Sequence, residues 1–233
     1  MKKSNKPNLC VVIVKDDYTE NLVRLLELHY NIANVVIVGG RTLSDTIDDL
    51  NNVSENTETI AVFGENTGIL WDNILPGNKF GRKNSTKQRA SYTDRLISIA
   101  NDYELRTIGF GMGSVYLAIK RNCNLLFNKC SSKSHDTTFI VGGDEDVRFN
   151  VNSDHSIVIY PINLKNYMYD IRAFGTYYSQ LKYFDAQGTI VEVGKNFVEP
   201  EIIKIGNTTL FHYNIPTNEE PVVSNLTIQN ILL

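Results

Sequence analysis

Cysteine is scarce in this chain: the three at Cys10, Cys123 and Cys130 are too few and too irregularly spaced for a disulfide framework. No C-x-x-C pair offers a metal knuckle, and the four histidines, His29, His135, His155 and His212, form no i, i+4 ligand pair, so no metal or cofactor is implied. No apolar run approaches the ~20 residues needed to cross a bilayer. The basic start, Met1 to Pro7, is followed by apolar residues only as far as Val14, with no small-residue cleavage site. Without a secretory signal, the Asn-x-Ser/Thr triplets at Asn52, Asn84, Asn207 and Asn225 carry little meaning. A reducing, cytoplasmic setting is the expectation. Neither sign of charge dominates: 23 Lys and Arg against 26 Asp and Glu leave a net charge of -3. Any contact with nucleic acid or an acidic surface must therefore be local.

Ordinary globular material is present, with 42% hydrophobic and 21% charged residues in a chain of 233. That length buries a sizeable core, and with no repeat, linker or low-complexity block it reads as one domain, residues 1–233. In the first half, short apolar runs alternate with segments of helical period, the pattern of βαβ units on a parallel sheet. Strands are predicted at Leu9 to Val14, Val35 to Val38, Thr59 to Phe63 and Arg106 to Phe110. Helices are predicted at Asn21 to Tyr30, around Leu43 to Leu50, at Ser91 to Tyr103, and through Val115 to Ile119. The second half reads as shorter strands at Thr137 to Val141, Val147 to Val151, Ser156 to Tyr160, Gly188 to Val193, Glu201 to Ile205 and Thr209 to His212. The expected fold is a three-layer α/β/α sandwich, flavodoxin-like, with a central mostly parallel sheet and extra edge strands.

The turn Gly109-Phe110-Gly111-Met112-Gly113 joins a strand directly to a helix. A G-x-nucleophile-x-G turn of this kind sets its middle residue on a strained elbow, with helix N–H groups behind it to receive a developing oxyanion. Here the middle residue is Gly111, which has nothing to attack with. Five residues of this pattern are equally compatible with a turn kept for packing. Ser114 begins the following helix and is expected to point away from the turn. Cys123 and Cys130 lie beyond that helix and read as structural thiols.

Thr107 to Ser114 resembles the nucleophile elbow of class I glutamine amidotransferases, closest to the gamma-glutamyl hydrolase and gamma-glutamyl-GABA hydrolase branch, in which the middle residue is cysteine. Val62-Phe63-Gly64, Ser134-His135-Asp136, Val151-Asn152-Ser153-Asp154-His155 and Leu210-Phe211-His212-Tyr213-Asn214 are similar to further stretches of that family and follow in the same order. The resemblance implies that Gly111 occupies the nucleophile position, His212 the base position and Asn214 the position of the carboxylate that orients the base. It implies an oxyanion hole from the backbone of Met112 and of Gly64 or Glu65, and a glutamyl pocket lined by Ser153 and His155, with Ile157 where the family has glutamine. A thiol, a base and an orienting group act as a unit. Two of the three have changed together, which implies a catalytically inactive amidotransferase-like protein acting by binding.

Two alternatives stay open: an active gamma-glutamyl hydrolase or amidotransferase supplying ammonia to a partner synthetase through another nucleophile, and a nucleic-acid-associated protein. The second rests on the basic 79–89 loop, with Lys79, Arg82, Lys83, Lys87 and Arg89 around Phe80. That loop and the tyrosine-rich segment Tyr160 to Phe184 are the two candidate surfaces for a protein partner, since tyrosine buries large area while keeping a polar handle. A small gamma-glutamyl-like ligand is the other candidate partner.

Overall fold

The computed structural model describes residues 8–13, 23–24, 26–27, 30–37, 57–62, 87–128, 135–139, 147–151, 157–161, 169–175, 182–194 and 197–212. Five strands form a parallel block: β1 (Asn8–Ile13), β2 (Asn31–Ile37), β3 (Thr59–Val62), β4 (Arg106–Phe110) and β13 (Thr208–Phe211), in the order β2-β1-β3-β4-β13. Four more continue the sheet by antiparallel pairing: β12 (Glu199–Ile205), β9 (Tyr169–Gly175), β6 (His135–Phe139) and β7 (Val147–Val151). The antiparallel extension is where the sequence loses its alternation of strand and helix. A second, four-stranded antiparallel sheet has the order β11 (Ile190–Val191), β10 (Tyr183–Phe184), β5 (Asn124–Asn128) and β8 (Ile157–Tyr160).

Parallel strands buried on both faces read as continuous apolar runs, and β3 is buried at every position. One face of the block, through Ile60, Val62 and Leu210, joins a core that includes Leu96, Ile99 and Ala100 of α1 (Lys87–Asp102) and Val115 to Ala118 of α2 (Met112–Lys120). The other face carries Ala61, Ile108, Phe110 and Phe211, with Ile202 of β12 opposite Phe211, all 2% exposed or less. Six consecutive residues of α2, Gly113 to Ala118, are buried. The cause is its position: it packs on β4 and β13 and also touches β5 and β8 of the small sheet. A helix covered all round must be apolar all round.

Several expectations shift. The predicted helix at Ser91 begins at Lys87, so Lys87 and Arg89 belong to α1 rather than to a basic loop. Asn124–Asn128 and Tyr169–Gly175 are strands that the sequence pattern does not announce, and Gly188 to Val193 contributes only a two-residue strand. The predicted helix at Leu43 to Leu50 and the loop from residue 63 to 86 lie outside the described residues. No helix among the described residues is long and apolar enough to cross a membrane.

Candidate functional site

Strands β4 and β13 are parallel neighbours with Phe110 beside Phe211, so the residues that follow, Gly111 and His212, leave the sheet side by side. Gly111 N–H extends the ladder by donating to the Phe211 carbonyl at 3.0 Å. The two phenylalanine rings stack at 5.1 Å with 16° between their planes, fixing the strand ends against each other.

The elbow itself is built from glycines with different reasons. A side chain at Gly109 would put its Cβ 2.6 Å from the Ser114 Cα and 2.8 Å from the Ser114 N, so only glycine lets the helix return this closely over the strand. Gly111 has φ 55° and ψ -122°, a conformation that side-chain-bearing residues rarely adopt, yet a Cβ built there meets nothing within 4 Å. The backbone is therefore shaped as an elbow that projects a side chain into open space, and no side chain is there. Met112 opens α2, whose first N–H groups fall outside the intrahelical ladder and carry the positive end of its dipole.

His212 is 6% exposed. Its backbone N–H donates to the Glu201 carbonyl at 2.8 Å, and its ring lies between Ile157 and Ser114. Nε2 meets the backbone carbonyl of Ile157, a pure acceptor, which assigns the proton to that nitrogen. Nδ1 then faces Ser114 Oγ at 3.4 Å. The Ser114 hydroxyl is fully buried and donates to the Gly111 carbonyl at 2.6 Å. Its single proton thus goes to the shorter contact. This corrects the expectation that Ser114 points away from the site: it lies between the elbow carbonyl and the histidine.

Cys123 is buried, and burial pushes its thiol up to about 12, so at neutral pH almost none of it is thiolate. Two acidic side chains that no sequence motif singles out, Glu199 and Glu201, are 2% and 0% exposed on β12 beside His212. Tyr183 of the small sheet donates to Glu199 Oε1 at 2.6 Å. His135 opens β6 in register with Val151, the last residue of β7, which brings two of the family-like stretches together. Val151 and Ile157 bracket the segment carrying Ser153 and His155. That segment itself, together with Gly64, Glu65 and Asn214, lies outside the described residues.

This arrangement, a strand, a left-handed elbow and a buried helix at the carboxyl ends of a parallel block, is a mixed α/β fold of flavodoxin type, shared with solved glutamine amidotransferase structures. Among solved structures the chain is similar to a putative GMP synthase subunit from Thermoplasma acidophilum, at TM-score 0.59 and 12% identity over 98% of this chain and 94% of that one. It is also similar to the glutaminase domain of Trypanosoma brucei CTPS with bound acivicin, at TM-score 0.56 and 10% identity over 97% and 92%. A glutamine amidotransferase from Thermotoga maritima matches at TM-score 0.51 and 11% identity over 97% and 83%. No family model matches the sequence. One curated relative, an uncharacterized protein of Acanthamoeba polyphaga mimivirus, is 32% identical over 89 residues, 38% of this chain; the chain spans about 25% of that protein's length.

Proposed function

We propose that this is a catalytically inactive relative of the gamma-glutamyl hydrolase branch of class I glutamine amidotransferases, acting by binding rather than by hydrolysis. The observation that carries the reading is Gly111: an elbow backbone with open space for a side chain, and glycine in place of the cysteine. Glycine relieves the strain that a cysteine would maintain there, which gives a physical reason for it to settle once the thiol has no task. The bond from His212 Nε2 to the Ile157 carbonyl agrees with a histidine that now ties strand ends together. Asn214, in the orienting position, supplies no charge of its own to stabilise an imidazolium. The function left to such a scaffold is recognition: a small gamma-glutamyl-like ligand at the elbow end of the sheet, or a protein partner met through Tyr160 to Phe184 or the 79–89 segment, as an assembly or ligand-sensing component.

One observation favours the active alternative: Ser114 places a hydroxyl 3.4 Å from His212. Its complete burial argues against it as a nucleophile, because a substrate carbonyl must reach the attacking oxygen. Glutaminase and gamma-glutamyl hydrolase assays of the wild-type protein, Ser114→Ala and Gly111→Cys separate the readings. The expected outcome is no turnover by wild type or Ser114→Ala, with Gly111→Cys gaining rapid thiol labelling. Wild-type turnover abolished in Ser114→Ala would overturn the inactive reading.

A further inference from the structure

The Ser114 hydroxyl stands between two acceptors. It donates to the Gly111 carbonyl at 2.6 Å, and its oxygen lies 3.4 Å from His212 Nδ1. A serine hydroxyl has one proton to give and two lone pairs to offer. With the proton on the shorter contact, the oxygen turns a lone pair toward Nδ1. A neutral ring whose proton sits on Nε2, facing the Ile157 carbonyl, presents a lone pair at Nδ1 as well. A second ring proton, on Nδ1, makes these contacts consistent: Nε2–H to Ile157, Nδ1–H to Ser114 Oγ, and Ser114 O–H to Gly111. In such a chain each bond polarises the next, and bonds from a charged donor are about twice as strong as neutral ones.

Burial opposes the charge, since His212 is 6% exposed. Neighbouring charge favours it. Glu201, fully buried, stands opposite His212 as the next pair of the β12–β13 ladder after Ile202 and Phe211. Glu199, also buried, takes the Tyr183 hydroxyl. Other ionisable side chains on the surrounding elements are placed elsewhere. Tyr116 and Lys120 of α2 both reach Asp94 of α1, and Tyr160 of β8 lies edge-on to Phe197. Arg106 is at the far end of β4, Lys204 is opposite Thr209, and Arg172 of β9 pairs with Asp170. Among the described residues, the charged side chain that the ladder sets beside His212 is therefore an acid.

We propose that His212 is a pH switch under the elbow. Protonated, it leaves the Ser114 hydroxyl on the Gly111 carbonyl; when it yields its Nδ1 proton to solvent, that hydroxyl turns to Nδ1 and releases the carbonyl. The switch builds on the reading of the elbow end as a binding site, whose backbone it adjusts with pH. Its test follows protons rather than ligand or turnover, so the two readings can fail separately.

The test is nuclear magnetic resonance of the isotope-labelled full chain across the histidine titration range. The His212 ring signals are those missing from His212→Gln. The ring and the Gly111 carbonyl carbon are expected to shift with one midpoint, above the ordinary histidine value of ~6.5. Ser114→Ala should lower the ring midpoint by about one unit, a roughly tenfold loss of proton affinity. In both variants the Gly111 carbonyl should lose that step. The proposal is overturned if the wild-type ring midpoint falls below ~6.5, if Ser114→Ala leaves it unchanged, or if the Gly111 carbonyl does not follow the ring. Should Ser114→Ala fail to fold, the joint titration in wild type and its loss in His212→Gln decide the matter.

Discussion

Two glycines two residues apart illustrate how differently the same residue can be required. At Gly109 the constraint is space, since the atoms a Cβ would strike belong to the Ser114 backbone and cannot swing aside. Gly109→Ala should therefore lose about 1–3 kcal/mol or more through overpacking. At Gly111 the constraint is the positive φ alone, and Gly111→Ala should lose about 1–3 kcal/mol through backbone strain with no displacement of α2. Urea unfolding of both variants, with near-ultraviolet circular dichroism to report on packing, checks the distinction: a packing change should accompany only Gly109→Ala. Equal spectral change in both would mean that the space at Gly111 is not open. Gly111→Cys carries the same strain as the alanine variant, so its thiol reactivity is to be compared at matched stability. At Cys123 the opposite outcome is expected. With its thiol pushed up to about 12 by burial, it should stay unlabelled at neutral pH until the protein unfolds.

Among elements, those with a strong apolar period were legible from the sequence. The β3, β4 and β13 runs and the α2 helix stand close to where their patterns put them, and so do Gly111 and His212 at the strand ends. What escaped was held together by distant partners. The strands of the small sheet that flank Gly188 are two residues long, too short to alternate, and exist because β10 pairs with β5, more than fifty residues earlier. Ser114 is placed by its position on a helix, whereas its neighbour His212 is 98 residues away in the chain. The β12 strand starts at Glu199, two residues before the strand predicted from Glu201, and the buried Glu199 takes a hydroxyl from Tyr183 that no local pattern announces. That bond joins the small sheet to the large one. Tyr183→Phe keeps the ring and its edge-on contact with Phe197 but removes the donor. It should cost about 1–3 kcal/mol, the penalty for leaving a buried acceptor without its donor. Urea unfolding of the variant measures it, and a loss below ~0.5 kcal/mol would show that this bond contributes little to joining the sheets.

For the whole molecule, the fold persists at about 12% identity across 98% of the chain because binary pattern and sheet topology, not particular side chains, define it. Its response to alkali is set by particular side chains. Burial raises Tyr30 to about 12 and shifts Tyr116 upward as well, the latter helped by its bond to Asp94. An unfolded chain ionises tyrosine near ~10. Above that pH the unfolded state has lost protons that the folded state still holds, so stability falls as pH rises. The contribution of Tyr30 is whole below about pH 10 and is lost as the pH climbs toward 12, by up to ~1.4 kcal/mol per pH unit. Urea midpoints taken between neutral and alkaline pH should drop more steeply for wild type than for Tyr30→Phe, and coincident curves would refute the assignment. The positive charge of Arg106 works against the rise at Tyr30.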